Sequence, residues 1–201
     1  MLFSSLPALP VPIVSAVRTL RAASVLLSCA GLLLTAAGPA AAALKPGANA
    51  PDFTAQAALG GKAFTFSLSE ALRKGPVVLY FYPQAFTSGC TVEAHEFAEA
   101  SEKFAALGAT LIGMSNDDID TLKDFSVKEC RNKFAVAADA GARVMKQYDA
   151  ALTLIPNTAD RISYVISPEG KVIYAYSSMD PEHHVSNTLK AVADWRAAAH
   201  K

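Results

Sequence analysis

Cys90 is the residue of this sequence best suited to nucleophilic chemistry, and Thr87 lies three residues before it. The preceding run, residues 76–82, is apolar and is bounded by glycine and proline on one side and by proline on the other, which is typical of a buried strand. A helical pattern begins at about Ser88, so Cys90 lies in the first turn, where unpaired N–H groups and the helix dipole favour an anion. Because the thiolate is the reactive form of cysteine, this placement predicts a thiol site. The alternative is an inert core cysteine, since free cysteine is often buried.

A longer pattern surrounds this cysteine. Residues 80–93 read Tyr-Phe-Tyr-Pro-Gln-Ala-Phe-Thr-Ser-Gly-Cys-Thr-Val-Glu. The spacing of Pro83, Thr87 and Cys90 resembles the active-site motif of the peroxiredoxins, which are thiol peroxidases with a thioredoxin-like fold. The full pattern is similar to their bacterioferritin comigratory protein branch, also called the Q type, and the resemblance extends over about residues 46–195. It implies an α/β, thioredoxin-like fold in which a central mixed sheet is flanked by helices.

The resemblance also implies a role for each residue of the motif. Cys90 is the nucleophile that attacks a peroxide oxygen and becomes a sulfenic acid. Thr87 would offer its hydroxyl to the thiolate and accept a hydrogen from the peroxide, while backbone N–H groups of the first helical turn add fixed donors. Pro83 would shape the loop and shield the sulfur from water.

Two charged residues complete the expected site. Arg161 matches the family's arginine, and its planar guanidinium would hold the thiolate and the developing anion. The alternative is a surface arginine paired with Asp160. Glu93 lies one turn beyond Cys90 and is expected to orient the arginine rather than to act as a base, with an ordinary solvated glutamate as the alternative.

The second cysteine of the expected mechanism is Cys130. Many members of this branch carry a resolving cysteine five residues after the nucleophile, where this sequence has His95, which is predicted to lie at the surface. Some members instead place a resolver in the helix where Cys130 falls. The resemblance thus implies an intramolecular disulfide between Cys90 and Cys130, with a buried, inactive Cys130 as the alternative.

The sequence predicts no cofactor and no metal. His183 and His184, beside Asp180 and Glu182, could suggest a metal site. Adjacent histidines point to different sides of a helix, however, and no other set of ligands has suitable spacing. The expected thiol chemistry requires no metal.

Residues 1–43 contain no acidic residue and combine two arginines, an apolar run over residues 22–34 and an alanine-rich tract. These are the three parts of a secretory signal peptide, so we expect cleavage after residue 43 and a periplasmic or secreted location in a bacterium. Residues 44–201 then form one thioredoxin-like domain. The alternatives are a single membrane anchor, for which about 16 apolar residues are short, and a lipoprotein modified at Cys29.

The remaining chain alternates strands and helices in the manner of βαβ units. Strands are predicted over residues 53–58, 63–66, 76–82, 110–115, 134–139, 161–166 and 171–176. Helices are predicted over residues 69–73, 88–107, 119–130, 142–148 and 184–198.

The formal net charge is zero and no basic patch appears, which argues against a nucleic-acid partner. The leading hypothesis is a thiol peroxidase that reduces hydrogen peroxide or organic hydroperoxides with electrons from a thioredoxin-like dithiol protein, acting as a monomer or weak dimer. The alternative is a thioredoxin-like protein disulfide oxidoreductase. That activity usually uses Cys-x-x-Cys, whereas the first position here is Thr87. A binding module without enzymatic activity would leave Cys90 and Arg161 without roles.

Overall fold

The computed structural model describes residues 43–199, so nearly all of the predicted signal peptide lies outside the described residues. Within this range the chain forms one seven-stranded sheet and five helices. The strands are β1 Thr54–Leu59, β2 Lys62–Ser67, β3 Val77–Phe81, β4 Thr110–Ser115, β5 Ala135–Ala138, β6 Ile162–Ile166 and β7 Val172–Ser177. The helices are α1 Leu68–Leu72, α2 Ser88–Ala106, α3 Ile119–Lys128, α4 Arg143–Gln147 and α5 His184–Ala199. No helix in residues 43–199 is long and apolar enough to cross a membrane.

The sheet is mixed, in the order β2-β1-β5-β4-β3-β6-β7. β3 pairs in parallel with β4 and antiparallel with β6, and β4 continues in parallel to β5. The connections β3-α2-β4 and β4-α3-β5 are therefore the predicted βαβ units. Strand β6 returns through the turn at residues 167–170 to pair antiparallel with β7. This order places β3, which leads into the site, next to β6, which follows Arg161.

Helices cover both faces of the sheet, and β3 contributes to both layers. Its residues Val77, Leu79 and Phe81 join the apolar cluster that includes residues of α1 and α4. Val78 and Tyr80 point to the opposite cluster, which includes residues of α2, α3 and α5. The strand is thus fully buried, in keeping with its continuous apolar sequence.

Helix α2 begins where the sequence predicts and ends at Ala106, one residue before the predicted end. Phe86 adopts a left-handed φ of 63°, and the extended Thr87 occupies the position before the first helical residue without a side-chain capping bond. Gly108, with φ of 72°, follows the helix end and supplies a conformation that few other residues adopt readily. In between, Ala94, Phe97 and Phe104 are buried in the cluster that includes strand residues Val78 and Tyr80.

Helix α3 ends at Lys128, two residues before the predicted end at Cys130. Arg131 and Asn132 take left-handed φ values of 52° and 59°, and the Asn132 N–H donates to the Ser126 carbonyl at 3.0 Å. Left-handed residues close a helix in this way. Cys130 therefore lies in the turn after α3 and not within the helix.

Candidate active site

The loop between β3 and α2 is fixed to the end of the neighbouring strand β4. The Tyr82 N–H donates to the Met114 carbonyl at 3.1 Å, which extends the strand pairing by one residue. The Ala85 N–H then donates to Asp117 Oδ2 at 2.8 Å, and Ser115 Oγ donates to the same oxygen at 2.7 Å. Asp117 is a supporting residue that the sequence analysis missed. It holds the loop that positions the start of α2.

Cys90 is the third residue of α2, and its side chain is a free thiol that is 1% exposed. Helix geometry leaves the first N–H groups of α2 without acceptors inside the helix, so the start of the helix, where Cys90 lies, carries a partial positive charge. A β-carbon on Gly89 would lie 3.0 Å from Arg161 Nη2. The missing side chain of Gly89 therefore lets the guanidinium approach the helix start closely.

Arg161 lies immediately before β6 and is 3% exposed, so the alternative of a surface arginine is wrong. Its Nη2 donates to Cys90 Sγ at 3.5 Å, its Nη1 donates to Glu93 Oε2, and its Nε donates to the Met179 carbonyl at 3.0 Å. Asp160 instead accepts the backbone N–H of Arg161 at 2.8 Å. Two nitrogens of the guanidinium thus contact α2, one of them at the thiol, and the third contacts the segment after β7. Burial opposes its charge, but Glu93 and Cys90 raise the pKa of Arg161 above its ordinary value.

Glu93 is fully buried, so the alternative of a solvated glutamate is wrong. It pairs with Arg161 one helical turn beyond Cys90, in the position expected of a residue that orients the arginine. Burial raises the pKa of Glu93 to about 8, although the charge of Arg161 and their hydrogen bond act in the opposite direction. The environment of the pair therefore favours the protonated, neutral form of the Glu93 carboxyl.

Behind Glu93 lies a second buried layer that the sequence analysis did not assign to the site. His184, the first residue of α5, is fully buried, and its Nδ1 lies 3.6 Å from Glu93 Oε1. The same Nδ1 lies 2.8 Å from Ser163 Oγ in β6. Its neighbour His183 is exposed, so the two histidines diverge as expected for adjacent residues. Within residues 43–199 no group of three or more histidine, cysteine, aspartate or glutamate side chains is placed to hold a metal ion.

Thr87 and Pro83 belong to the loop that leads from β3 into α2. The Thr87 side chain is exposed, and its hydroxyl donates to the Gln84 carbonyl at 3.0 Å rather than to Cys90. The lone pairs of this oxygen remain free to accept a hydrogen. Pro83 is half-buried directly after the Tyr82 position. Thr87 thus lies at the solvent-exposed start of α2, three residues before the buried thiol.

Cys130 is fully buried in the same apolar cluster as Cys90, and both are free thiols. Burial, with a smaller contribution from Glu129, raises the pKa of Cys130 well above its ordinary value. His95, at the position where the branch often has its resolver, is about one-third exposed, and its Nε2 lies 2.7 Å from Glu129 Oε2. The structure thus does not bring Cys130 into the hydrogen-bonded group of Cys90, Glu93 and Arg161.

A mixed sheet with helices on both faces, and a buried thiol at a helix start held by an arginine, define a thioredoxin-like thiol protein. Residues 46–175 match the AhpC/TSA family, and the chain belongs to that family. The chloroplastic peroxiredoxin Q of Triticum aestivum is 40% identical over 129 residues, which are 64% of this chain and 58% of that protein. The resemblance to the Q-type peroxiredoxins is thereby confirmed. The chain spans about three fifths of the length of the curated relatives it matches.

Solved structures agree with this assignment. The peroxidoxin BcpB of Mycobacterium tuberculosis superposes with a TM-score of 0.68 at 29% identity, covering 75% of this chain and 97% of that one. Peroxiredoxin Q of Xanthomonas campestris superposes with a TM-score of 0.62 at 25% identity, covering 70% of this chain and 90% of that one. The predicted α/β fold, with its mixed sheet flanked by helices, is confirmed.

Proposed function

We propose that this protein is a thiol peroxidase that reduces hydrogen peroxide and small organic hydroperoxides. The observation that carries the proposal is the contact of Arg161 Nη2 with Cys90 Sγ at 3.5 Å, in a site buried from water at a helix start. A permanent cation and unpaired N–H groups stabilise a thiolate, and they also stabilise the negative charge that moves onto oxygen during peroxide cleavage. Membership of the AhpC/TSA family supports the same activity.

The proposed chemical step is a displacement at oxygen. The Cys90 thiolate attacks one peroxide oxygen, the S–O bond forms and the O–O bond breaks. The electron pair of the broken bond leaves on the second oxygen, which takes a proton and departs as water or an alcohol. Cys90 is then a sulfenic acid. Arg161 and the N–H groups of α2 face the reacting atoms, Thr87 accepts a hydrogen from the peroxide, and Pro83 limits access of water.

The cycle closes through a second thiol. In the proposed step the Cys130 thiol attacks the Cys90 sulfenic acid, a disulfide forms and water leaves. A thioredoxin-like dithiol protein then reduces the disulfide. Bridging requires the two Cα atoms to come within roughly 7 Å. Because Cys130 is buried in a turn, this step needs local opening of the segment after α3.

A peroxide consumption assay with dithiothreitol as reductant tests the activity. Cys90→Ser should abolish turnover, because a hydroxyl is not appreciably ionised at neutral pH, while Cys130→Ser should keep the first turnover. Arg161→Met should lower the rate roughly 10²–10³-fold, by analogy with the loss of an oxyanion donor. Activity that survives Cys90→Ser would contradict the mechanism. Reduction of insulin disulfides without peroxide consumption would favour the disulfide oxidoreductase instead.

We also propose that residues 1–43 direct export and are removed. The composition of the segment supports this. Cleavage after residue 43 would turn the Leu44 nitrogen into the α-amino group, and that nitrogen already donates to Tyr164 Oη at 3.1 Å. The processed chain could keep this contact, since an ammonium group donates hydrogen bonds. Periplasmic or secreted protein would carry the domain of residues 44–201.

A further inference from the structure

One oxygen of the buried Glu93 carboxyl has no hydrogen-bond partner. Oε2 accepts from Arg161 Nη1, but Oε1 is buried without a donor. The group that faces Oε1 is His184 Nδ1, at 3.6 Å. Both side chains are fully buried. An unpartnered carboxylate oxygen in such a place is costly, so the contact between these two atoms requires an explanation.

The hydrogen bonds of His184 show where its protons lie. Nε2 lies 2.9 Å from the Ser178 carbonyl oxygen, which can only accept, so Nε2 carries a proton. Nδ1 lies 2.8 Å from Ser163 Oγ, which can either donate or accept. Burial lowers the pKa of His184 to about 4, which leaves the ring neutral at neutral pH. Nδ1 is therefore a bare acceptor that lies close to both Ser163 Oγ and Glu93 Oε1.

Two facing acceptors are unfavourable where no water can enter. A single proton between Glu93 Oε1 and His184 Nδ1 removes this conflict, whichever of the two atoms carries it. Ser163 Oγ suits both arrangements, since it can donate to a bare Nδ1 or accept from a protonated one. The raised pKa of Glu93 agrees with a proton held at this place.

The presence of this proton determines which negative groups oppose the positive charge of Arg161. With it, Glu93 and His184 together are neutral, and the positive charge of Arg161 is opposed only by the Cys90 thiolate. Without it, Arg161 faces two negative charges in a buried group, and the thiolate is disfavoured. The other charged or titratable groups that act on the pair are Glu96, Asp160, Asp180 and Tyr80.

We propose that His184, seated between Ser163 and Ser178, is a positioning residue that holds one proton against Glu93 in the reduced protein and thereby leaves the charge of Arg161 for the Cys90 thiolate. The inference rests on the proposed function, because it takes this thiolate as the reacting group. His184 itself touches neither the thiol nor the peroxide. It acts through Glu93 and Arg161.

The first test replaces His184 with asparagine. The Asn amide can donate to Glu93 Oε1, so the carboxylate becomes stable without the extra proton. We expect the rate of Cys90 alkylation by iodoacetamide at pH 7 to fall about tenfold, and the reaction with hydrogen peroxide to slow by a similar factor. Because Cys130 is also a thiol, alkylation is followed by mass spectrometry of the Cys90 peptide. The matched control is His183→Asn at the exposed neighbour, which should leave both rates unchanged.

The second test separates a proton-holding role from packing. Glu93→Gln fixes the neutral state, since its carbonyl can accept from Arg161 and its amide can donate to His184 Nδ1. Whatever rate Glu93→Gln has alone, adding His184→Asn should change it by less than about twofold. A tenfold loss in both backgrounds would indicate a packing role and overturn the proposal, as would an unchanged alkylation rate in His184→Asn alone. If the wild-type protein consumes no peroxide, the proposed function fails, while the alkylation comparison still decides this inference.

Discussion

The buried pair of Glu93 and His184 predicts an unusual dependence of stability on pH. In the unfolded chain these residues have the ordinary pKa values of 4.5 and 6.5. In the folded protein, burial raises the pKa of Glu93 to about 8 and lowers that of His184 to about 4. Between pH 4.5 and 6.5 each state holds one proton of the pair, on histidine when unfolded and on glutamate when folded. The pair then contributes no pH dependence in this range.

Above pH 6.5 the two states differ. From pH 6.5 to 8 only the folded state keeps the proton, so its free energy of unfolding falls as the pH rises. At about 1.36 kcal/mol per pKa unit, this 1.5-unit interval corresponds to a loss of about 2 kcal/mol. Glu93→Gln has no proton to lose there, so its stability should stay level over the same interval. Below pH 6.5 the variant should lose stability on acidification, because its unfolded state binds a proton on His184 that its folded state does not.

Urea unfolding at pH 6.5 and pH 8, followed by circular dichroism, measures this difference. Both proteins should carry Cys90→Ser, so that ionisation of the active-site thiol does not contribute. All other titrating groups are shared, and their effects cancel in the comparison. The reasoning is refuted if the two free energies of unfolding change in parallel between pH 6.5 and pH 8. That result would show that Glu93 is already ionised in the folded protein.

Three further predictions concern the cycle, the helix start and processing. One equivalent of peroxide should link Cys90 to Cys130 by a disulfide, and the Cys130→Ser variant should stop at the sulfenic acid and over-oxidise more readily. Mass spectrometry of non-reduced digests measures both results. A Cys130 that can still be alkylated in the peroxide-treated wild type would contradict this prediction. The Gly89→Ala variant should displace the Arg161 guanidinium, because the added β-carbon would lie 3.0 Å from Nη2. The rate of reaction with peroxide should fall roughly tenfold or more, since small displacements at a reacting centre are costly. An unchanged kcat/KM would show that the close approach of Arg161 to the start of α2 is not needed. Protein from a cell envelope fraction should begin near Leu44 by N-terminal sequencing, and recovery of the uncleaved chain in membranes would favour an anchor.

The strand, loop and helix around Cys90 could be predicted because their signals are local. An apolar run between prolines specifies a buried strand, and the change to helical periodicity near Ser88 specifies where α2 begins. The position of Arg161 came from the resemblance and not from any local pattern. Only tertiary structure shows that the sheet order brings the residue before β6 beside the start of α2.

The helical spacing of Glu93 indicated that it is buried, but its charge argued for exposure to solvent. Glu93 lies three residues after Cys90 and four before Phe97, which places all three near one face of α2. Phe97 and Cys90 are buried, so Glu93 shares their environment. A charged residue on such a face is normally a reason to expect solvent, unless a partner of opposite charge is present. That partner, Arg161, lies 68 residues away in the sequence.

His184 had no local signal at all. It follows the left-handed His183, with φ of 71°, and it opens a helix whose start gave no indication of burial. Its partners are Ser163 in β6 and the Ser178 carbonyl just after β7. Their contacts with His184 depend on the pairing of β6 with β7 and on the docking of α5. Pattern reasoning on single elements cannot supply such contacts.

The turn that carries Cys130 is held to α2 by a row of polar side-chain contacts. His95, Glu99 and Glu102, spaced along α2, contact Glu129, Arg131 and Lys133 at 2.7, 3.2 and 3.1 Å. The last two pairs are largely exposed, and such pairs contribute about 0–1 kcal/mol each. The burial of Cys130 and the backbone hydrogen bonds of the turn therefore contribute most to keeping this turn in its folded position. Since a small segment opens at less cost than the whole domain unfolds, the proposed resolving step could proceed from a folded core. In the proposed cycle, the Cys130 thiol would be inert while the turn is closed and would become available when the turn opens.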